Sequence, residues 1–236
     1  IKCCRFARQV ENEDLSAEEA RDVLLEVAKL DLNPYHVDLG KLAVNFRRLG
    51  AERSLTDYVG DELKGPIEEA PAGEKKTDIV LYGFGRIGRL LARELIAKSG
   101  SREAIRLRAI VIRKSADNDL MKRASLLRRD SVHGSFDGTI TVDHDGNAII
   151  ANGQRIQVIY ASNPSEVDYT AFGIDNALVV DNTGKWRDRE GLSRHLQSKG
   201  ASRVLLTAPG KGDLKNIVHG VNHEEITDAD AIISAA

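Results

Sequence analysis

The sequence predicts an α/β fold, a doubly wound parallel sheet with an antiparallel hairpin insertion, preceded by a small α-helical extension. Three observations predict it. The apolar run Ile79-Val80-Leu81-Tyr82 leads straight into Gly83-Phe84-Gly85-Arg86-Ile87-Gly88, the G-x-G-x-x-G spacing that marks a dinucleotide-phosphate cradle when a strand precedes it and a helix follows. A second strand-like run, Leu107 to Ile112, follows at βαβ distance, and strands then alternate with helices to the last residues, which is the Rossmann-type pattern. Ahead of residue 65 the apolar spacing is helical.

The chain has 236 residues, 34 basic and 36 acidic, for a net charge of −2. That length holds one large domain or two small ones. The charge balance gives no ground for nucleic acid or an anionic membrane as the main partner. No apolar run approaches the roughly 18 residues of a membrane span, and nothing at the start resembles a signal peptide, so a soluble cytoplasmic protein is expected. Cys3 and Cys4 are adjacent, no C-x-x-C pair exists and the histidines are scattered, which suggests neither a disulfide framework nor a metal site. The chain starts at Ile1 and stops at Ser234-Ala235-Ala236, directly after Ile232-Ile233. It reads as a piece of something longer.

Residues 1 to about 64 form the expected helical extension. Ser16 with Glu19 is a capping-box pattern, followed by Ala20, Val23, Leu24, Val27 and Ala28 at helical spacing until Asn33-Pro34. A second helix is expected from Asp38, with Leu39, Leu42, Ala43 and Phe46 on one face and Gly50 as its stop. A third starts at Ser54 and carries Leu55, Tyr58, Val59 and Leu63. Tyr35 and His36 read as loop residues. Residues 65–76 combine two prolines, two glycines and charged residues without periodicity, the composition of a linker. The expected domains are therefore a helical extension over 1–64, a linker over 65–76 and the sheet domain over 77–236.

In that domain the first glycine permits the tight turn, the second admits a pyrophosphate to the backbone, and the third lets helix and strand pack closely. Ile87, Leu90, Leu91 and Leu95 mark the helix face expected on the sheet. Ser99-Gly100-Ser101 turns the chain into the second strand, which ends at Arg113-Lys114-Ser115, and Asp117 or Asn118 can cap the next helix, through Arg129. Asp130 to Gly134 breaks the pattern. Thr139 to Val142, Ala148 to Ala151 and Ile156 to Tyr160, separated by turns including Asn152-Gly153, read as the antiparallel insertion. The strand Ala177 to Val180 then runs into Asp181-Asn182-Thr183-Gly184, a helix carries Leu192 and Leu196, and the strand Val204 to Leu206 runs into Thr207-Ala208-Pro209-Gly210. Carboxyl ends of such strands hold the ligand of an open α/β sheet, which makes Thr183 and Thr207 candidates for cofactor contact.

From Asp78 onward the chain resembles glyceraldehyde-3-phosphate dehydrogenase, in order: Gly-Phe-Gly-Arg-Ile-Gly-Arg at 83–89, Asp-Ser-Val-His-Gly at 130–134, Phe136-Asp137-Gly138, Asn152-Gly153, Asn163-Pro164, Asn182-Thr183-Gly184, Leu206-Thr207-Ala208-Pro209, and Ile232 to Ala236. These span about two thirds of the chain. The first 76 residues fall outside the usual enzyme and look like the helical N-terminal extension of a longer bacterial subgroup. The resemblance implies a cofactor-binding set. Gly83, Gly85 and Gly88 form the loop, the backbone of Arg86 and Ile87 meets the pyrophosphate, Thr183 and Gly184 flank the adenosine half, and Thr207 lies toward the nicotinamide. Ser162 falls where the family often has a basic residue near the adenine, and that side chain is missing here.

The resemblance further implies a cysteine thiolate that attacks the aldehyde of a sugar phosphate, hydride transfer to the nicotinamide, and release of the thioester by inorganic phosphate, in a homotetramer. The family's Ser-Cys-Thr-Thr-Asn would come directly after Ala236, so these 236 residues are expected to bind dinucleotide weakly or not at all and to lack the activity by themselves. Whether the substrate is glyceraldehyde-3-phosphate or erythrose-4-phosphate stays open. NAD-selective members end the second strand with an aspartate for the ribose hydroxyls. Here Arg113 stands there, about 25 residues after Gly88 against about 20 in the general pattern. With Lys114 and Ser115 it offers donors for a 2′-phosphate, so NADP, or both NADP and NAD, is the expected cofactor. A different class of function, a non-catalytic dinucleotide-binding module with a helical interaction domain, fits the same residues.

Overall fold

The computed structural model describes residues 4, 7, 13–31, 37–49, 52–64, 77–98 and 105–235. The expected stops at Asn33-Pro34 and Gly50, the Tyr35-His36 loop, the Ser99-Gly100-Ser101 turn and the linker over 65–76 lie outside them.

Helix α1 (Ala17–Val27) opens with the capping box: the Ser16 hydroxyl accepts from the Glu19 N–H at 3.1 Å, and the Glu19 carboxylate accepts from the Ser16 N–H at 2.8 Å. The Asp38 carboxylate accepts from the Lys41 N–H at 3.0 Å at the start of α2 (Leu39–Leu49), and Ser54 accepts from the Asp57 N–H at 3.1 Å at the start of α3 (Leu55–Glu62). Each cap satisfies a backbone donor that the helix leaves open. Val23, Val44 and Val59 meet in one core, against which Cys4 also packs, and Phe46 lies 5.3 Å from Tyr58 between ring centroids. Leu24 instead turns outward, 48% exposed. The Lys41 ammonium of α2 stands 3.3 Å from the Asp137 carboxylate.

Among the described residues the sheet has nine strands in the order β10-β11-β9-β8-β1-β2-β7-β6-β5. In chain order these are β1 (Thr77–Tyr82), β2 (Ile105–Ile112), β5 (Ile140–Asp143), β6 (Ala148–Ala151), β7 (Gln154–Tyr160), β8 (Ala177–Asp181), β9 (Ala201–Leu206), β10 (Asn216–Ile217) and β11 (Ile232–Ala235). The strands from β10 to β7 run parallel, with β1 between β2 and β8. β7 pairs antiparallel with β6 through its first half and parallel with β2 through its second, so the hairpin extends the sheet rather than interrupting it. β3 (Arg129–Asp130) and β4 (Gly134–Ser135) form a separate two-stranded turn, which accounts for the break at Asp130 to Gly134.

Alternation along β1 serves both faces. Ile79 and Leu81 join the core beneath α4 (Arg86–Lys98) and α5 (Asp119–Arg128), while Val80 and Tyr82 join Tyr169 and Ile174 on the other side. Full burial of each such aliphatic side chain stabilises the fold by about 1.5–3 kcal/mol. The face of α4 that packs is only partly the expected one: Leu91 and Leu95 pack, half-buried, against the core beneath it, but the fully buried positions lie elsewhere. Gly88, Ala92 and Ile96 are buried, and Ile87 is 49% exposed. The reason is the close approach of Gly88 to the turn: a Cβ on it would stand 2.4 Å from the Gly83 carbonyl oxygen.

Candidate cofactor site

Because β1, β2, β7 and β8 are parallel, their carboxyl ends share one edge, and the order reverses between β1 and β8. An open α/β sheet places its ligand at that switch point. A cavity of about 720 Å³ lies there, within the range of ligand sites. Single backbone bonds continue the ladder past the strand ends and fix its floor: Gly83 N–H to Val111 O at 2.9 Å, Ala161 N–H to Ile112 O at 3.0 Å, and Asn182 N–H to Tyr82 O at 2.8 Å.

Gly83 and Gly85 line the cavity. Gly83 has φ +93°, and a Cβ there would meet Thr183 Cγ2 at 2.8 Å; a Cβ on Gly85 would meet nothing within 4 Å. The second glycine therefore faces open space, as a backbone that cradles a phosphate must. Gly88 does not line the cavity; it holds α4 against the turn. Arg86 starts α4, but its guanidinium donates to Ser131 Oγ at 3.1 Å, and its Nε lies 4.0 Å from Asp130, so its side chain is held by the β3–β4 turn. Asp130 is the hub of that turn. The N–H groups of His133 and Val132 each donate to it at 3.0 Å, and these bonds, the His133 one first, hold its carboxyl well below the usual carboxylate range.

Arg113, Lys114 and Ser115 leave β2 into the cavity, with the Lys114 ammonium 6.0 Å from the Tyr160 ring centroid. Ser115 departs from its expected role as a phosphate donor. Its N–H and its hydroxyl donate to the Asp119 carboxylate at 2.5 and 2.7 Å, and the Ala116 N–H adds a third bond at 3.1 Å. These bonds, led by the Ser115 N–H, lower the Asp119 pKa to about 2, so the carboxylate is ionised at neutral pH and keeps the serine proton. Asn118 is the N-cap position but makes no side-chain cap bond, and the Asp119 carboxylate turns back to the residues before the helix instead of capping it.

Thr183 lines the cavity at the end of β8, its N–H and hydroxyl both donating to Asp181 Oδ1 at 2.7 Å. Gly184, φ +64°, turns the chain away just beyond it. Thr207 does not reach the cavity. Its Oγ1 lies 3.1 Å from Asp181 O and from Asn182 Oδ1, so it ties the end of β9 to the end of β8. Sequence reasoning missed Tyr82, Asn182, Lys185, Trp186 and Arg123, all of which line the cavity. Lys185 lies 4.5 Å from the Trp186 ring centroid. The Tyr82 hydroxyl is buried with no partner among the described residues, and burial, then the nearby Asp181, pushes its pKa up to about 12. Residues directly after Thr183-Gly184 sit on the switch-point edge, and that position was the available signal for Lys185 and Trp186. Among the described residues no carboxylate lines the cavity, whereas four cationic side chains do. Open backbone at Gly85, donors of one charge sign and a stacking surface fit a dinucleotide.

Residues 77–189 match the family described as glyceraldehyde 3-phosphate dehydrogenase, NAD binding domain. A glyceraldehyde-3-phosphate dehydrogenase-like protein of Pseudomonas aeruginosa is 56% identical over 239 aligned positions, covering 100% of this chain and 52% of that protein. The glyceraldehyde-3-phosphate dehydrogenase of Zymomonas mobilis is 37% identical over 162 positions, 67% of this chain and 44% of the relative. The chloroplastic glyceraldehyde-3-phosphate dehydrogenase A of Zea mays is 42% identical over 195 positions, 82% of this chain and 43% of the relative. The chain spans about half the length of the curated relatives it matches. With a switch-point cavity, a glycine cradle and this match together, the chain is a glyceraldehyde-3-phosphate dehydrogenase-like cofactor-binding portion whose residues 77–189 match that family's NAD-binding domain.

Proposed function

We propose that this chain is the cofactor-binding half of a phosphorylating glyceraldehyde-3-phosphate dehydrogenase that accepts NADP as well as NAD. The observation that carries the reading is the cavity at the switch point, edged by Gly83, Gly85 and Thr183 and lined with cations alone among charged groups. In this reading the N–H groups at the start of α4, those of Arg86 and Ile87, face the pyrophosphate beside Gly85. Gly184 lets the chain clear the adenosine half, and Thr207 braces Thr183 from behind rather than touching cofactor. Arg113 and Lys114 stand where an aspartate would repel a 2′-phosphate. When bound, the nicotinamide supplies hydride acceptance.

The thiol that attacks the aldehyde belongs to the remainder of the full-length protein. Cys4 packs on the helical core instead. The substrates are a sugar-phosphate aldehyde and inorganic phosphate, the assembly a homotetramer, and the compartment the cytoplasm. Residues 1–64 act as a separate helical unit joined through 65–76.

Calorimetric titration of the full-length protein with NAD and NADP tests the reading. Binding of either cofactor is expected, and Gly85→Val should abolish it while leaving the thermal unfolding temperature nearly unchanged, because a side chain there meets only the open cavity. Retained binding in that variant would place the dinucleotide elsewhere. Arg113→Asp should shift the ratio of kcat/KM values toward NAD by about one to two decades, the worth of a charge-assisted bond. An unchanged ratio removes Arg113 from cofactor choice.

A further inference from the structure

We propose that Arg123 is a specificity-determining residue, the second arm of a site for the 2′-phosphate of an adenosine dinucleotide. This rests on the reading of the cavity as a dinucleotide site. Arg123 projects from α5 into the cavity, and its Nε is buried with no hydrogen-bond partner among the described residues. A buried donor without an acceptor is costly, and the guanidinium, which cannot shed its proton, remains open to an anion.

The helix spacing explains why this arginine faces the end of β2. Arg123 lies four residues after Asp119, hence on the same helix face. Asp119 in turn accepts both donors of Ser115, which clamps the Arg113-Lys114-Ser115 loop to that face. The clamp has two effects. It removes Ser115 as a donor to any ligand, since its hydroxyl proton and its N–H are both spent. It also fixes Arg123 beside the loop at which this fold discriminates the adenosine ribose. The rigid fork of Arg123 thus replaces the donors that Ser115 cannot give, and it suits a phosphate bidentately where lysine would not. Asp119 makes no hydrogen bond to Arg123 among the described residues; three bonds from Ser115 and Ala116 orient its carboxylate, and it attracts the guanidinium only as a neighbouring charge.

The test uses 2′,5′-ADP and 5′-AMP, two probes that differ by the 2′-phosphate alone, titrated calorimetrically into the full-length protein, into Arg123→Met and into Arg123→Lys. The wild type is expected to bind 2′,5′-ADP about ten- to a hundredfold more tightly than 5′-AMP. Arg123→Met should cut that ratio by at least tenfold, and Arg123→Lys should restore part of it. A ratio that Arg123→Met leaves untouched overturns the assignment. Binding of both probes with equal affinity by the wild type also overturns it while leaving the dinucleotide reading intact. Binding of neither probe, nor of NAD, brings down the cavity reading itself. Arg123 makes no hydrogen bond among the described residues, so both variants should melt close to the wild type; unfolding of both would mean a structural role and would overturn the proposal too.

Discussion

The Nε2 atom of His195 lies 2.9 Å from Oδ2 of Asp181, and neither side chain reaches solvent. The other oxygen of Asp181 takes both donors of Thr183, so one buried carboxylate links the interior to the edge of the cavity. Tyr82 and Trp186 pack edge-on against the His195 ring at 4.7 and 5.9 Å between centroids. Asp181→Ala should therefore act twice. It leaves His195 unpaired in the interior, at a cost of about 3–5 kcal/mol if the histidine is charged and about 1–3 if it is neutral, while the exposed Thr183 donors turn to solvent. It also frees Thr183, weakening dinucleotide binding. Denaturant unfolding and calorimetry check the two effects separately, and a variant as stable as the wild type would deny the pair its structural role.

Asp119 ties stability to pH. Its folded pKa of about 2 lies below the ordinary value near 3.9, so the unfolded chain takes up the proton first. The contribution is fully present above about pH 4 and is lost as the pH falls through about 2. Urea unfolding of wild type and Asp119→Asn should show the largest gap at pH 7, narrowing steadily between pH 4 and 2. A gap that stays constant over that window would assign the stabilisation to shape rather than charge.

Much of this architecture was legible in the residues, because patterns that depend on period survive without tertiary information. The strand Ile79 to Tyr82, the glycine spacing and the Ser16 capping box each declare themselves over a few residues. What depends on packing did not. Ile87 and Gly88 both fit an α4 face, and only the approach to the Gly83 carbonyl decides that Gly88 turns inward. Ser115 looked like a free donor until Asp119, four residues away, was seen to hold it. Thr207 and Thr183 carry the same strand-end signal, yet one braces the other's strand and only Thr183 borders the cavity. Arg123 had no signal of its own, since a charged residue on an amphipathic helix ordinarily faces solvent.

The proposed boundary between the helical unit and the sheet domain predicts a proteolytic pattern. The helical residues have their own core around Val44 and Val59, and the composition over 65–76 is that of a linker. Limited proteolysis should cut first between Gly65 and Lys76. Protection there, with early cleavage inside α1 instead, would mean that the two units fold as one. The Lys41–Asp137 pair is too exposed, at 39% and 80%, to hold them together by itself.

Two glycines of the loop, one close-packed and one open, predict how narrowly the cradle is specified. A methyl group on Gly88 would stand 2.4 Å from a backbone oxygen, that of Gly83, whereas one on Gly85 meets open space. Backbone cannot rotate aside as a side chain can, so Gly88→Ala must push α4 off the turn. Overpacking of this kind costs about 1–3 kcal/mol, and for a chain of this size each kcal/mol lowers Tm by about 2–4 °C. The displaced helix also carries the N–H groups of Arg86 and Ile87 away from Gly85, so affinity for NAD should fall together with Tm. Gly85→Ala should keep the Tm and lose affinity alone. Scanning calorimetry paired with NAD titration separates the two variants. If Gly88→Ala melts where Gly85→Ala does, the contact between helix and turn is not what sets this loop.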